Sequence, residues 1–301
     1  MPRNGSRAAI AFASAVLSAC GGGGGGSNIR EVPFTSFAAV QPNEAVVMQG
    51  TSQTASGTLT TSPGGGFNID TATLTPTPQD GQLKLTYGAT GAISSIDFST
   101  PSASASFVGA TCASGVCSAE TASSVAVVID ARAAVVGWNY QTFGVWLNQT
   151  GPATFQAGGI SAGAVTLGTA VPTSTTGNFT GRAAGFYVNP FGAAFATAAD
   201  MSAIVDFGAR TIVFATTNTT AANLSTGAPL LNSTNLNLTG GLSYASGSNQ
   251  FSGNVSAPMA SLNGSATGRF YGPAAEEIGG TYGLSGVGQT ERLMGAFGGK
   301  R

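Results

Sequence analysis

Gly268-Arg-Phe-Tyr-Gly-Pro-Ala-Ala-Glu-Glu-Ile-Gly-Gly-Thr-Tyr282 holds the end of one strand-like run, a turn and the start of the next run. Gly272-Pro273 is turn punctuation, because glycine supplies unusual backbone angles and proline has no N–H to continue a ladder. The flanking runs, 261–272 and 275–286, are short, rich in β-formers, and lack the i, i+3, i+4, i+7 apolar spacing of a helix. Working outward, six more such runs fall at 176–189, 193–207, 210–217, 235–245, 248–256 and 290–299. Eight antiparallel strands close into a barrel just wide enough for side chains to fill, and closure removes exposed sheet edges. The expected core is Phe179, Tyr187, Phe207, Phe214, Phe251, Phe270, Tyr282 and Phe297. Glycines inside the runs, such as Gly181, Gly185, Gly279 and Gly280, are expected to supply curvature.

Before residue 176 the same two-residue alternation continues. Leu83, Leu85 and Tyr87 alternate with Lys84, Thr86 and Gly88, and Val125 to Ile129 reads as a more fully buried strand. One stretch, Phe191 to Met201, reads as a helix candidate. The fold class is therefore all-β: a sheet-rich N-terminal region over 29–175, followed by an eight-stranded antiparallel barrel over 176–301.

The N-terminus indicates export. Arg3 and Arg7 precede an apolar run, Ala8 to Val16, that is too short to span a bilayer. Leu17-Ser-Ala-Cys20 follows and resembles the bacterial lipobox. That resemblance implies a signal peptide over 1–19, cleavage before Cys20, a diacylglyceryl group on its sulfur, and a further acyl chain such as palmitate on the new amine. One acyl chain binds membranes marginally, and two or more anchor stably. Gly21 stands where an inner-membrane retention signal has Asp, so the outer membrane is the expected destination, on its periplasmic face or at the cell surface. Residues 20–28 read as a glycine-rich tether with about 15 Å of slack over the glycine run.

Cys112 and Cys117 flank Ala-Ser-Gly-Val, a spacing that lets a hairpin bring them together. Oxidising compartments preserve disulfides, and with Cys20 lipidated the other two cysteines are left to pair. The rival is a metal site, but two thiolates in a chain with no histidine do not complete a tetrahedral set. No metal and no cofactor are expected.

Composition excludes other classes. Net charge is −1 and 8% of residues are charged, so there is no basic stripe for nucleic acid. The 45 glycines have no three-residue period, which excludes collagen. Without histidine, Ser-His-Asp and Cys-His catalysis is absent. Gly21 to Gly26 lacks the Lys-Ser/Thr of a phosphate loop. Glu276 and Glu277 are adjacent and point to opposite faces of a strand, so they read as a solvated or hydrogen-bonded corner near Arg269 or Arg292 rather than as an acid–base pair. Haem ligation would fall to Tyr187, Tyr271 or Met294, each of which reads more simply as barrel packing. No catalytic residue is assigned.

The closing segment, together with Gly295-Ala-Phe-Gly-Gly-Lys-Arg301, resembles the C-terminal barrel of transferrin-binding protein B-like surface lipoproteins. Phe179-Thr-Gly-Arg-Ala-Ala-Gly-Phe-Tyr187, Val205-Asp-Phe-Gly208, Trp138-Asn-Tyr-Gln-Thr-Phe-Gly-Val-Trp146 and Phe34-Thr-Ser-Phe-Ala-Ala-Val-Gln-Pro42 extend the resemblance, which is dense over 176–301 and thinner before it. It implies one lobe, a handle followed by a barrel, that binds a ligand or protein at the cell envelope through its loops. It also implies a host or environmental iron- or haem-carrying protein as partner, and an outer-membrane translocator. The loop of Phe186 to Phe195 is the expected contact, with Tyr187 and Phe191 as ligand-binding candidates; an inward hydrophobic plug is the equal alternative. A structural or adhesive envelope lipoprotein without a small ligand is the alternative function.

Overall fold

The computed structural model describes residues 29–61, 66–121, 123–286, 288 and 290–301. Cys20 and its lipobox lie outside the described residues. Two β bodies follow one another. The handle contains β1 (Arg30–Pro33), β2 (Glu44–Thr61), β3 (Phe67–Leu74), β4 (Gln79–Tyr87), β5 (Ile93–Ser99), β6 (Ser104–Val108), β7 (Thr111–Ala113), β8 (Val116–Thr121), β9 (Ser124–Ile129), β10 (Gln141–Gly151) and β11 (Thr154–Gly163). Its sheet runs β6-β5-β4-β2-β11-β10-β9-β8-β7, with β1 parallel to the start of β2 and β3 antiparallel to its end. The alternation at Leu83, Leu85 and Tyr87 lands in the core, where Phe98 stacks on Trp146 at 4.5 Å between centroids. β9, read from sequence as a more fully buried strand, buries Ala126, Val128 and Ile129 and leaves Val125 and Val127 half-buried.

The barrel contains β12 (Thr176–Val188), β13 (Ala194–Asp206), β14 (Thr211–Asn223), β15 (Thr239–Tyr244), β16 (Gln250–Ala257), β17 (Leu262–Tyr271), β18 (Glu277–Ser285) and β19 (Arg292–Lys300). Each strand pairs with the next, and β12 pairs with β19 from Thr180↔Lys300 to Val188↔Arg292, closing the ring. All eight expected aromatics are buried inside. Phe270 sits among Phe179, Phe207, Tyr244 and Phe251 at 5.2–6.4 Å, the offset spacing aromatic rings prefer.

The helix expected over Phe191 to Met201 is a turn followed by β13. Alanine-rich sequence favours helix locally, but β13 pairs with β12 along its whole length. Its alanines fall on both faces, Ala194 and Ala203 buried and Ala198 exposed.

Handle and barrel are joined on the β18–β19 flank. An added Cβ at Gly159 of β11 would stand 2.8 Å from the Gly295 carbonyl carbon, and one at Gly279 would meet Ser161 Oγ at 2.3 Å. These glycines mark close approach as well as curvature. Tyr271 Oη donates to the Ser161 carbonyl at 3.0 Å. The Glu276-Glu277 corner is not solvated throughout. Glu277 is buried, and its carboxylate accepts backbone N–H bonds from Asn139, Tyr140 and Gln141 at 2.5, 2.9 and 2.8 Å. Burial pushes its pKa up, opposed by those three donors and by Lys300. Arg269, expected beside the glutamates, instead pairs with Asp80 of the handle at 2.8 Å.

Candidate functional site

Four connections gather at one end of the barrel: 189–193, 224–238, 258–261 and 286–291. The first is a tight turn. Asn189 Oδ1 accepts from Phe191 N and Ala193 N, both at 3.0 Å, and Gly192 takes φ +84°, a region closed to most side chains. Ile69 N of the handle donates to the Gly192 carbonyl at 2.8 Å, fixing the turn from outside. Phe191 is left 89% exposed at its tip.

The second connection starts in the same way. Asn223 Oδ1 accepts from Ser225 N and Thr226 N at 2.9 Å, and Asn232 adopts the left-handed region before a short 3-10 turn over Ser233–Leu236. Leu236 turns inward, whereas Leu231 stays 84% exposed. The third connection is the 3-10 turn Pro258–Ala260, packed beside the second, with Met259 76% exposed. The fourth carries no large apolar tip among its described residues. Thr290 Oγ1 donates to the Pro190 carbonyl at 3.2 Å, linking it to the first turn.

The two residues singled out in sequence therefore separate. Phe191 is on the surface. Tyr187 is buried, and its hydroxyl donates to Glu291 Oε1 at 2.8 Å; burial, and then that glutamate, push its pKa up. Its role is to hold the fourth connection against the barrel mouth. Tyr271 and Met294 are also buried, and burial pushes Tyr271 up to about 12. Leu231 and Met259 were not read from sequence. The signal lay in apolar side chains beside proline or asparagine in gaps between strand runs.

The opposite end differs. Its turns, 207–210, 245–249 and 272–276, expose no large apolar side chain; Leu167, in the connection from the handle, is the exposed one nearby. Three exposed apolar tips thus stand on connections at one end of the barrel, the kind of side chain that marks protein-contact surfaces.

Cys112 and Cys117 form a disulfide with Cα atoms 4.0 Å apart, next to Asp130. Paired, they offer no thiolate to a metal.

Residues 163–301 match the family described as the C-lobe and N-lobe beta barrels of Tf-binding protein B. Among solved structures, a mutant transferrin-binding protein B from Haemophilus parasuis Hp5 is 12% identical, with a TM-score of 0.41 over 85% of this chain and 75% of that one. Isotype 1 transferrin-binding protein B from serogroup B Neisseria meningitidis is 15% identical, with a TM-score of 0.41 over 74% of this chain and 52% of that one, so the match spans about half its length. The N-lobe domain of lactoferrin binding protein B from Moraxella bovis is 11% identical, with a TM-score of 0.33 over 54% and 76%. No curated protein matches the chain.

Proposed function

We infer, from the match of residues 163–301 to the Tf-binding protein B barrel family, that this chain is a lipoprotein held to the outer membrane through Cys20 that binds a partner protein with the loop end of its barrel. One observation carries the reading: Phe191, Leu231 and Met259 stand on three connections of the same barrel end, each beside backbone hydrogen bonds of its own connection. Rigid turns lose little entropy when they dock, which favours a specific contact. The similarity to transferrin- and lactoferrin-binding proteins supports an iron-carrying protein as the partner class, and a host or environmental iron- or haem-carrying protein is the partner proposed. Reaching it at the cell surface calls for an outer-membrane translocator. With so few charges in the chain, association gains little from electrostatic steering and should depend weakly on salt.

The test is capture from host serum or spent medium by the full chain, compared with Phe191→Ser/Leu231→Ser/Met259→Ser. All three side chains are exposed, so the variant should melt as the parent does. The parent is expected to retain a protein whose absorption spectrum shows bound iron or haem, and the triple variant to lose it. Equal capture by both overturns the reading of the loop end.

The anchor is tested separately. Cys20→Ser is expected to abolish acylation and move the protein out of the outer-membrane fraction. A variant that still fractionates there at mature size removes the anchor from the proposal.

A further inference from the structure

Handle and barrel pack closely along the β18–β19 flank and again beside the β12–β13 turn, where Phe186, Val188 and Ala194 join the handle core, and they diverge over the rest of the β12–β14 flank. Twisted sheets that meet closely at one corner diverge elsewhere. Here the divergence opens a wedge of about 690 Å³ between β8–β10 of the handle and β12–β14 of the barrel. Its handle wall presents Val116, Val125 and Val127, and its barrel wall presents Ala184, Ala196 and Ala198. The valines and two of the alanines are half-buried, and Ala198 is exposed, so both walls are apolar and incompletely covered. Proteins normally fill such a space with larger side chains, since interiors pack densely. This one lines it with alanine and valine.

The polar groups of the wedge are grouped. Arg182 and Asp200 are register partners on β12 and β13, and Asn218 Nδ2 donates to Asp200 at 2.8 Å. Arg182 forms no ion pair among the described residues; its guanidinium donates to the carbonyl of Ser114, on the disulfide hairpin, at 3.3 Å. The adjoining hollow brings in Lys300, whose ammonium donates to the Gly137 carbonyl at 2.7 Å. Around this mouth, two cations face one carboxylate.

We propose that the wedge binds a long-chain carboxylate, its acyl chain lying between the valine and alanine walls and its head group at Arg182. The volume lies within the roughly 300–1,000 Å³ typical of sites for one small molecule. Side chains of ordinary size fill the gap of about 10 Å between packed sheets; the alanines and valines of these walls fill only part of it, which favours a slender aliphatic ligand over a ringed one. The Arg182 guanidinium, free of an ion pair among the described residues and with Lys300 at the adjoining hollow, complements an anionic head group, and planar guanidinium matches carboxylate geometry. Away from Arg182, Asp200 and Asn218 the wedge offers only the Thr197 and Thr220 hydroxyls, too few to satisfy a peptide backbone, which disfavours an extended peptide as occupant.

The test uses the full chain carrying Cys20→Ser, with its disulfide formed, and cis-parinarate as fluorescent probe. Saturable binding is expected, displaced by hexadecanoate more strongly than by shorter acids, at roughly fourfold per methylene. Ala198→Trp and, separately, Ala222→Trp fill the wedge and should weaken binding at least tenfold. Asn254→Trp, outward-facing on β16, should leave it unchanged. Arg182→Gln should weaken hexadecanoate about tenfold while leaving hexadecanol unaffected, a distinction that a merely structural role would not produce. Circular dichroism melts identify any variant that has not folded, and the second wedge variant then decides. Absence of saturable parinarate binding overturns the proposal, as does equal affinity in the wedge-filled proteins and Asn254→Trp.

Discussion

The two flanks on which handle faces barrel are made from different residues, and the difference decides which one closes. On the β18–β19 flank, Gly159, Gly279 and Gly298 let backbone meet backbone or the Gln141 and Ser161 side chains directly, and Glu277 gathers three N–H donors across the junction. On the β12–β14 flank, alanine and valine line the wedge; Arg182 donates across it to Ser114, and beyond its far end Ile69 and Phe67 of the handle donate to Gly192 and Ser225. Neither flank is more apolar than the other in any simple sense. What distinguishes them is the size of the residue at the point of approach: zero carbon atoms beyond Cα in the seam, one or three in the wedge. Sheet twist guarantees that one flank diverges; glycine placement selects which.

The most severe way to break this contrast is to remove the strand both arguments need. β19 closes the barrel against β12 and β18 and carries the barrel side of the seam at Gly295 and Gly298. Truncation after Gly288 deletes it, together with the buried Leu293, Met294 and Phe297. Loss of these side chains alone costs several kcal/mol, at roughly 1.5–3 kcal/mol each, and β12 and β18 become open edges. The truncated chain is expected to show no cooperative melt by circular dichroism. A cooperative transition in that protein would mean that barrel and seam persist without β19.

A narrower cut tests the seam itself. Gly159→Val places a branched side chain where a single Cβ already falls within 2.8 Å of the Gly295 carbonyl carbon and 2.9 Å of its oxygen. Both obstacles are backbone inside a closed ladder, so neither can swing aside. Overpacking typically costs about 1–3 kcal/mol, and this position belongs at the upper end, about 3 kcal/mol. Calorimetry should show a lowered melting temperature; an unchanged one would show that handle and barrel separate freely in solution.

The barrel was more legible in the sequence than the seam, for a physical reason. Two-residue alternation depends on whether each side chain faces the aromatic interior, and that requirement is local, so Phe179, Phe207, Phe270 and Phe297 could be placed inside from spacing alone. The errors fall where another constraint intervened. β14 runs on to Asn223 because Asn218, with φ +55°, accompanies a register shift that breaks the alternation after 217. β15 begins only at Thr239 because Ser233–Leu236 winds into a 3-10 turn. The Ala-rich stretch after Phe191 reads as helix because its alternation is muted by small residues on both faces. Glu277 and Arg269 found partners, Asn139 to Gln141 and Asp80, more than a hundred residues away in sequence, beyond any local pattern. Of the site, Phe191 could be read from its Pro-Phe-Gly turn. Tyr187 could not be separated from it, since only three-dimensional position shows that one ring points out and the other in.

The smallest expected effect is the sharpest complement to Gly159→Val. Ala198→Trp adds far more volume than Gly159→Val, but into the wedge. Ala198 lies on β13 between Ala184 and Thr220 in register, exposed on the outer wall, with a register shift beginning just after it. The added indole meets open space and the valine wall rather than backbone, and tryptophan is well suited to strands. Apolar area newly covered on Ala184 and Val127 offsets the rotamer freedom the side chain loses. The net change in stability is expected to fall within about 0.5 kcal/mol, as for surface substitutions away from special features. If the larger addition is silent and the smaller one is not, proximity of backbone, rather than bulk, governs where the two bodies lock. A loss of more than about 2 kcal/mol in Ala198→Trp would instead mean that the wedge is closed in solution, which would remove both the contrast between the flanks and the space available to an acyl chain.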